Sequence, residues 1–110
     1  MRPSVVTTSD ASGGTKNSTS VVLDYYGRPE VSLQVVVTGS ATWTVQQTLD
    51  NVLDATVTPT WFNHPDTTNM VSQTVNRQGN YAYIPTAVRL QQTAGSGSAV
   101  LTIVQAGLHP

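Results

Sequence analysis

The sequence predicts an all-β fold: a single β-sandwich of seven or eight short strands with jelly-roll-like or other Greek-key connections. Three observations point there. Thr and Val supply 17 and 16 of the 110 residues, and side chains branched at Cβ are stiff at χ1 and pack well on a pleated surface. Apolar residues alternate with polar ones along most of the chain, the period of a half-buried strand. Turn-forming residues break the alternation every 8 to 12 residues or so. The length suits one domain with a two-layer core. Residues 1–18 read as a flexible N-terminal arm carrying a possible short strand, and residues 19–107 as the sandwich.

Val5 and Val6 are the apolar part of that arm, either a first strand of the sandwich or a segment that docks on another subunit. Residues 9–20, SDASGGTKNSTS, hold no core-forming side chain and read as a long loop or a mobile arm. Val21 to Asp24 is a short apolar strand closed by the turn signal Tyr25-Tyr26-Gly27-Arg28-Pro29. Glu30 to Thr38 is the strongest strand, with Val31, Leu33, Val35 and Val37 on one face. After Gly39-Ser40 the alternation resumes from Ala41 to Leu49, so the two runs read as a hairpin.

Residues 49–60 place Leu49, Val52 and Leu53 at helical spacing, but Thr56, Val57, Thr58 and Pro59 oppose a helix, leaving one or two turns or an irregular crossing. Met70 to Val75 reads as another short strand, and Gln78-Gly79-Asn80 as a turn before Tyr81 and Tyr83. Ala87 to Gln92 alternates, residues 93–98 turn the chain, and Ala99 to Gln105 returns. That last strand is apolar on both faces, which predicts a central or an interface position.

Charged residues make up 10% of the chain and the formal net charge is −1, against about 25% charged residues in an ordinary soluble domain. Arg2, Lys16, Arg28, Arg77 and Arg89 are scattered, so no basic stripe suits a phosphate backbone and no nucleic-acid partner is expected. No apolar run is long enough to span a membrane or to serve as a signal-peptide core, so no membrane partner is expected. The absence of Cys removes disulfides and thiolate metal sites, which a reducing cytoplasm accommodates.

Little in the chain suggests chemistry. His64 with Asp66 supplies at most two metal ligands where three or four are needed, so no metal or other cofactor is expected. The same histidine has no nucleophile in a recognisable setting, and the second histidine, His109, is penultimate. Asp50 and Asp54 are four apart, as paired glycosidase carboxylates might be, but turn capping accounts for them as well. Gly13-Gly14 and Gly95-Ser96-Gly97 lack the Lys and helix of a phosphate cradle. The sequence reads as a non-enzyme.

Six aromatic residues fall at strand ends or in loops: Tyr25, Tyr26, Trp61, Phe62, Tyr81 and Tyr83. They fit three roles: closing the open ends of the core, anchoring a protein interface, or forming a sugar platform from Trp61, Tyr81 and Tyr83. With Val5, Val6 and Arg77 they are the candidate protein-interface residues.

The runs Gly39 to Asp50 (GSATWTVQQTLD), Ala55 to Phe62 (ATVTPTWF) and Arg89 to Gly107 (RLQQTAGSGSAVLTIVQAG) cover about half the chain, and in them it resembles small virion proteins of tailed bacteriophages. That resemblance implies a capsid decoration, or cement, protein: a jelly-roll-like domain made in the host cytoplasm that binds the major capsid protein on the outer surface of the virion. It also implies a homo-oligomer, dimer or trimer. Neck and tail structural proteins, and carbohydrate-binding virion modules, are the alternatives.

Overall fold

The computed structural model describes residues 4–23, 30–81 and 85–106. Its strands are β1 (Ser4–Ser9), β2 (Lys16–Asn17), β3 (Val21–Val22), β4 (Glu30–Thr38), β5 (Thr42–Thr48), β6 (Phe62–Asn63), β7 (Arg77–Tyr81), β8 (Ala87–Ala94) and β9 (Ser98–Ala106). One sheet has the order β1-β9-β4-β7. The other has the order β2-β8-β5-β6, with β3 also on β8. All pairings are antiparallel.

β2 and β3 are two halves of one interrupted strand. Lys16 pairs with Gln92 and Val22 with Ala87, and between them Ser18 bridges the gap. Its N–H donates to the Leu90 carbonyl at 2.8 Å and its hydroxyl accepts the Leu90 N–H at 2.9 Å. Counted this way, eight strands make two four-stranded sheets.

The order of the strands is that of a jelly roll. β1 pairs with β9, β2 and β3 with β8, β4 with β7, and β5 with β6, so each pair encloses the next. Ser4 faces Ile103 at the outer end of this nest and Gln46 faces Asn63 near its fold. The chain is therefore one long hairpin doubled back within residues 49–61 and then rolled. Rolling adds the β4–β9 and β5–β8 ladders and sets sequence neighbours on opposite sheets.

That topology corrects the expected hairpins. β4 and β5 lie in different sheets, as do β8 and β9, so Gly39-Ser40 and residues 95–97 are arches across the sandwich and not in-sheet turns. The two arches are joined where the Gly97 N–H donates to the Ser40 carbonyl at 2.8 Å. Gly95 there has a φ of +97°, a conformation that side chains rarely adopt.

The core is built from the predicted faces. Val31, Leu33 and Val35 of β4, Trp43 and Val45 of β5, Val88 and Leu90 of β8, and Ala99, Leu101 and Ile103 of β9 are all buried. Burying a side chain of Val, Leu or Ile size contributes about 1.5–3 kcal/mol, which makes these ten positions the main source of stability. Trp43 is fully enclosed, and its indole N–H donates to the Val75 carbonyl at 3.1 Å.

Residues 49–60 form the expected irregular crossing, with turns and no helix, and Leu49 and Leu53 are about 70% exposed. Other expectations change. Residues 70–75 do not form a strand, although Gln73 makes a reciprocal backbone bridge to Trp43. Gln78-Gly79-Asn80 is not a turn but the interior of β7. The buried Met70 side chain occupies the space that a Cβ on Gly79 would need, so a glycine sits mid-strand for close approach. β9 is central in its sheet, yet one face only is covered: Ala99, Leu101 and Ile103 are buried while Val104 is 42% exposed.

The segment after β1 has a definite place. The N–H groups of Asp10 and Ala11 donate to the carbonyls of Gly97 and Gly95 at 3.0 and 2.8 Å, and Ala11 is buried. Val5 and Val6 thus belong to a strand paired with β9 of their own chain.

Candidate functional site

The outward face of the β1-β9-β4-β7 sheet is open to solvent. Strand alternation puts Val5 and Thr7 of β1, Val100, Thr102 and Val104 of β9, Ser32, Gln34 and Val36 of β4, and Gln78 and Asn80 of β7 on this side. Val5, Val36 and Val104 are 58%, 38% and 42% exposed. Among the described side chains of this face none is charged. The opposite parity of the same strands lines the core, so one register fixes both surfaces.

Two shallow grooves cross the β4–β7 side of the face. One, of about 560 Å³, runs past Val36, Asn69, Asn76 and Arg77. The other, of about 350 Å³, runs past Ser32, Thr102 and Val104. Gln34 and Gln78 border both, and the Gln78 amide donates to the Gln34 carbonyl oxygen at 3.2 Å, forming the wall between them. Arg77 stands at the rim, its Nε donating to the Gln73 side chain at 3.2 Å.

The expected interface residues separate into four groups. Val5, Phe62 and Arg77 are exposed. Val6 and Tyr81 are core residues and not surface anchors: Val6 faces inward because it alternates with Val5, and Tyr81 reaches across the sandwich to donate its hydroxyl to the Gln47 carbonyl oxygen at 2.9 Å. Tyr25, Tyr26 and Tyr83 lie outside the described residues. Trp61 is half-buried, with the Arg89 guanidinium 4.5 Å above its ring.

These positions bear on the sugar platform as well. Tyr81 is enclosed, and one face of Trp61 is already taken by a cation–π contact. Arg89 in turn donates to Gln46, and Gln46 to Asn63, on the outside of the second sheet. The Arg89 charge is partly desolvated there, which lowers its pKa. Phe62 is not part of this network. It flanks a separate apolar hollow of about 500 Å³ with Leu49 and Thr60.

His64 has a structural place. Its Nδ1 accepts the Asp66 N–H at 2.9 Å, which leaves Nε2 to carry the proton and donate to the Asn80 carbonyl at 2.7 Å. The ring packs on Tyr81 with centroids 4.4 Å apart. Burial of the imidazole disfavours its charged form and lowers its pKa, against smaller opposing effects of the Asn80 carbonyl and the Asp66 charge. The carboxylates are turn caps. Asp66 accepts the Thr68 and Asn69 N–H groups, Asp54 accepts the Thr56 N–H and hydroxyl, and Asp50 accepts the Thr60 N–H. Among the described residues no group of three or more His, Asp or Glu side chains converges to hold a metal ion.

Composition did not reveal Gln92. This glutamine is fully buried, accepts the Thr8 hydroxyl at 3.0 Å, and donates to the carbonyls of Gly95 and Gly97 at 3.1 Å each and of Ala94 at 3.4 Å. Its inward parity, two residues after Leu90, was the available signal. Compared with protein-family models, with curated proteins and with solved structures, the chain matches none.

Proposed function

We propose that this domain acts by docking. It would be a capsid decoration protein of a tailed bacteriophage, laying the outward face of the β1-β9-β4-β7 sheet against the major capsid protein and bridging capsomers. The observation that carries the reading is the chemistry of that face: exposed Val5, Val36 and Val104 among Ser, Thr and Gln, with charge among the described side chains entering only at a groove rim, through Arg77. Apolar contact contributes about 25 cal/mol per Å². Hydroxyl and amide groups pair across a contact without the heavy desolvation cost of full charges.

Binding to the assembled lattice stabilises it by mass action, and many weak sites acting together make the effect large. A jelly roll serves capsid and lectin domains alike, so the fold by itself selects neither. The resemblance in residues 39–50, 55–62 and 89–107 favours the virion, and the enclosed Tyr81 and capped Trp61 weigh against a sugar platform. Docking requires no catalytic group, consistent with a His64 committed to two backbone partners.

Quantitative mass spectrometry of purified particles tests the assignment. A decoration protein is expected in hundreds of copies. A count of about six to a dozen, the number a symmetric ring holds, would place it at the neck or tail instead.

A further inference from the structure

The exposed sheet edges of this sandwich are finished in different ways. β7 is covered in part by a side chain, since His64 Nε2–H donates to the outward-facing Asn80 carbonyl at 2.7 Å. The β2–β3 edge is broken at residues 18–20 and begins with Lys16, and β6 is two residues long. Short strands, charges, breaks and covering groups are the devices that keep edges from pairing with other chains. Among the described residues β1 has none of them. It is six residues long, unbroken, and reads Ser-Val-Val-Thr-Thr-Ser without charge or proline.

The direction of its backbone groups follows from the ladder. The Asp10 N–H donates to the Gly97 carbonyl, one step beyond the Ser9–Ser98 pair, and in an antiparallel pair hydrogen-bonded and non-hydrogen-bonded residues alternate. Ser4, Val6 and Thr8 therefore bond to β9. Val5, Thr7 and Ser9 point their N–H and C=O groups away from it, and all three residues are exposed.

We infer that β1 is a homodimer edge, at which two copies of this chain pair antiparallel about a two-fold axis through Thr7. The three outward residues are evenly spaced around Thr7, so the edge is complementary to itself: Thr7 meets Thr7, and Val5 meets Ser9 on both sides. That register forms six N–H···O=C bonds and brings no like charges together, as an isologous contact requires. The product is a continuous eight-stranded sheet whose two outer faces lie on the same side. The pairing goes beyond the docking reading and does not depend on it.

Proline at position 7 is the discriminating variant. The Thr7 N–H makes no bond to β9, so Thr7→Pro leaves the intramolecular ladder in place while removing the central donor of the dimer. Thr7→Lys is a second variant that blocks pairing by charge and keeps the N–H. By sedimentation equilibrium at about 100 μM, the full chain is expected at twice its 11.7 kDa mass and both variants at the single mass, a twofold drop, with unchanged far-UV circular dichroism. Backbone amides of Val5, Thr7 and Ser9 are expected to exchange more slowly as wild-type concentration rises. A monomeric wild type at this concentration would overturn the inference, as would folded Thr7→Pro and Thr7→Lys variants that remain dimers. A monomer that still coats capsids would overturn the pairing and leave the docking reading standing.

Discussion

The Gly97 N–H donates to the Ser40 carbonyl at 2.8 Å, and this bond joins the two arches by which the chain changes sheets. A Cβ on Gly97 would meet the Thr38 carbonyl and the Ser40 backbone, and one on Gly95 would fall on the Ser40 carbonyl in a left-handed conformation. The neighbours in conflict are backbone, so they cannot rotate away. Gly95→Ala and Gly97→Ala are each expected to cost about 2–4 kcal/mol, from strain and overpacking together. Urea unfolding checks this, and a loss under about 0.5 kcal/mol for either would mean the arches are not packed as described.

Gln92 holds the same end from inside. Gln92→Leu keeps the volume but strands the Thr8 hydroxyl and weakens the bonding of three carbonyls, so a loss of about 2–3 kcal/mol is expected. Adding Thr8→Val removes the stranded hydroxyl and should recover part of that loss. A double-mutant cycle reads the coupling, expected at about 1 kcal/mol. Strictly additive losses would contradict the pairing.

These two sites mark how far the sequence was legible. The alternation of β4 was visible from Glu30 to Thr38, and those are the strand's ends, because one face is core and the other solvent. The first arch reads as a hairpin since Gly39-Ser40 reports that the chain reverses, not whether the next strand joins the same sheet. Gly79 read as a turn because the reason for it, the Met70 side chain, lies nine residues away in sequence and touches it only after folding. The scarcity of charge on the outward face was foreshadowed by a composition with 10% charged residues. The extent of that face was not, since Val6 and Val5 differ only in a parity that the β9 register fixes.

His64 makes stability depend on pH. Its folded pKa lies below the ordinary 6.5 because the imidazole is buried, so between the two values the unfolded chain binds more protons. The stabilisation is fully present above pH 6.5 and is lost as pH falls from there through the folded pKa. Protonation at Nδ1 also removes the acceptor of the Asp66 N–H. The urea midpoint is expected to drop between pH 7.5 and pH 5, and His64→Gln should flatten that slope. Asp10, Asp54 and Asp66 have pKa values lowered from 3.8 by their turn hydrogen bonds, so their contribution is lost only under more acid conditions. An equally steep slope in His64→Gln would contradict this role.

Gly79→Ala tests the close approach of β7 to Met70. The added methyl would lie 2.6 Å from the Met70 Cε, a flexible group but a fully buried one. A cost of about 1–2 kcal/mol is expected, and Met70→Ala in the same chain should absorb it, making the glycine substitution nearly neutral. An undiminished cost in that background would locate the constraint in the backbone.

The docking surface itself is tested most directly by adding purified protein to particles that lack it and measuring uptake by sedimentation. Val36→Glu with Val104→Glu places two charges on the outward face without touching the core. Wild type is expected to saturate the shells, and the double variant, folded as judged by its circular dichroism, to lose at least about tenfold in affinity, or 1.4 kcal/mol. Uptake of the variant equal to that of wild type would contradict the claim that this face holds the partner.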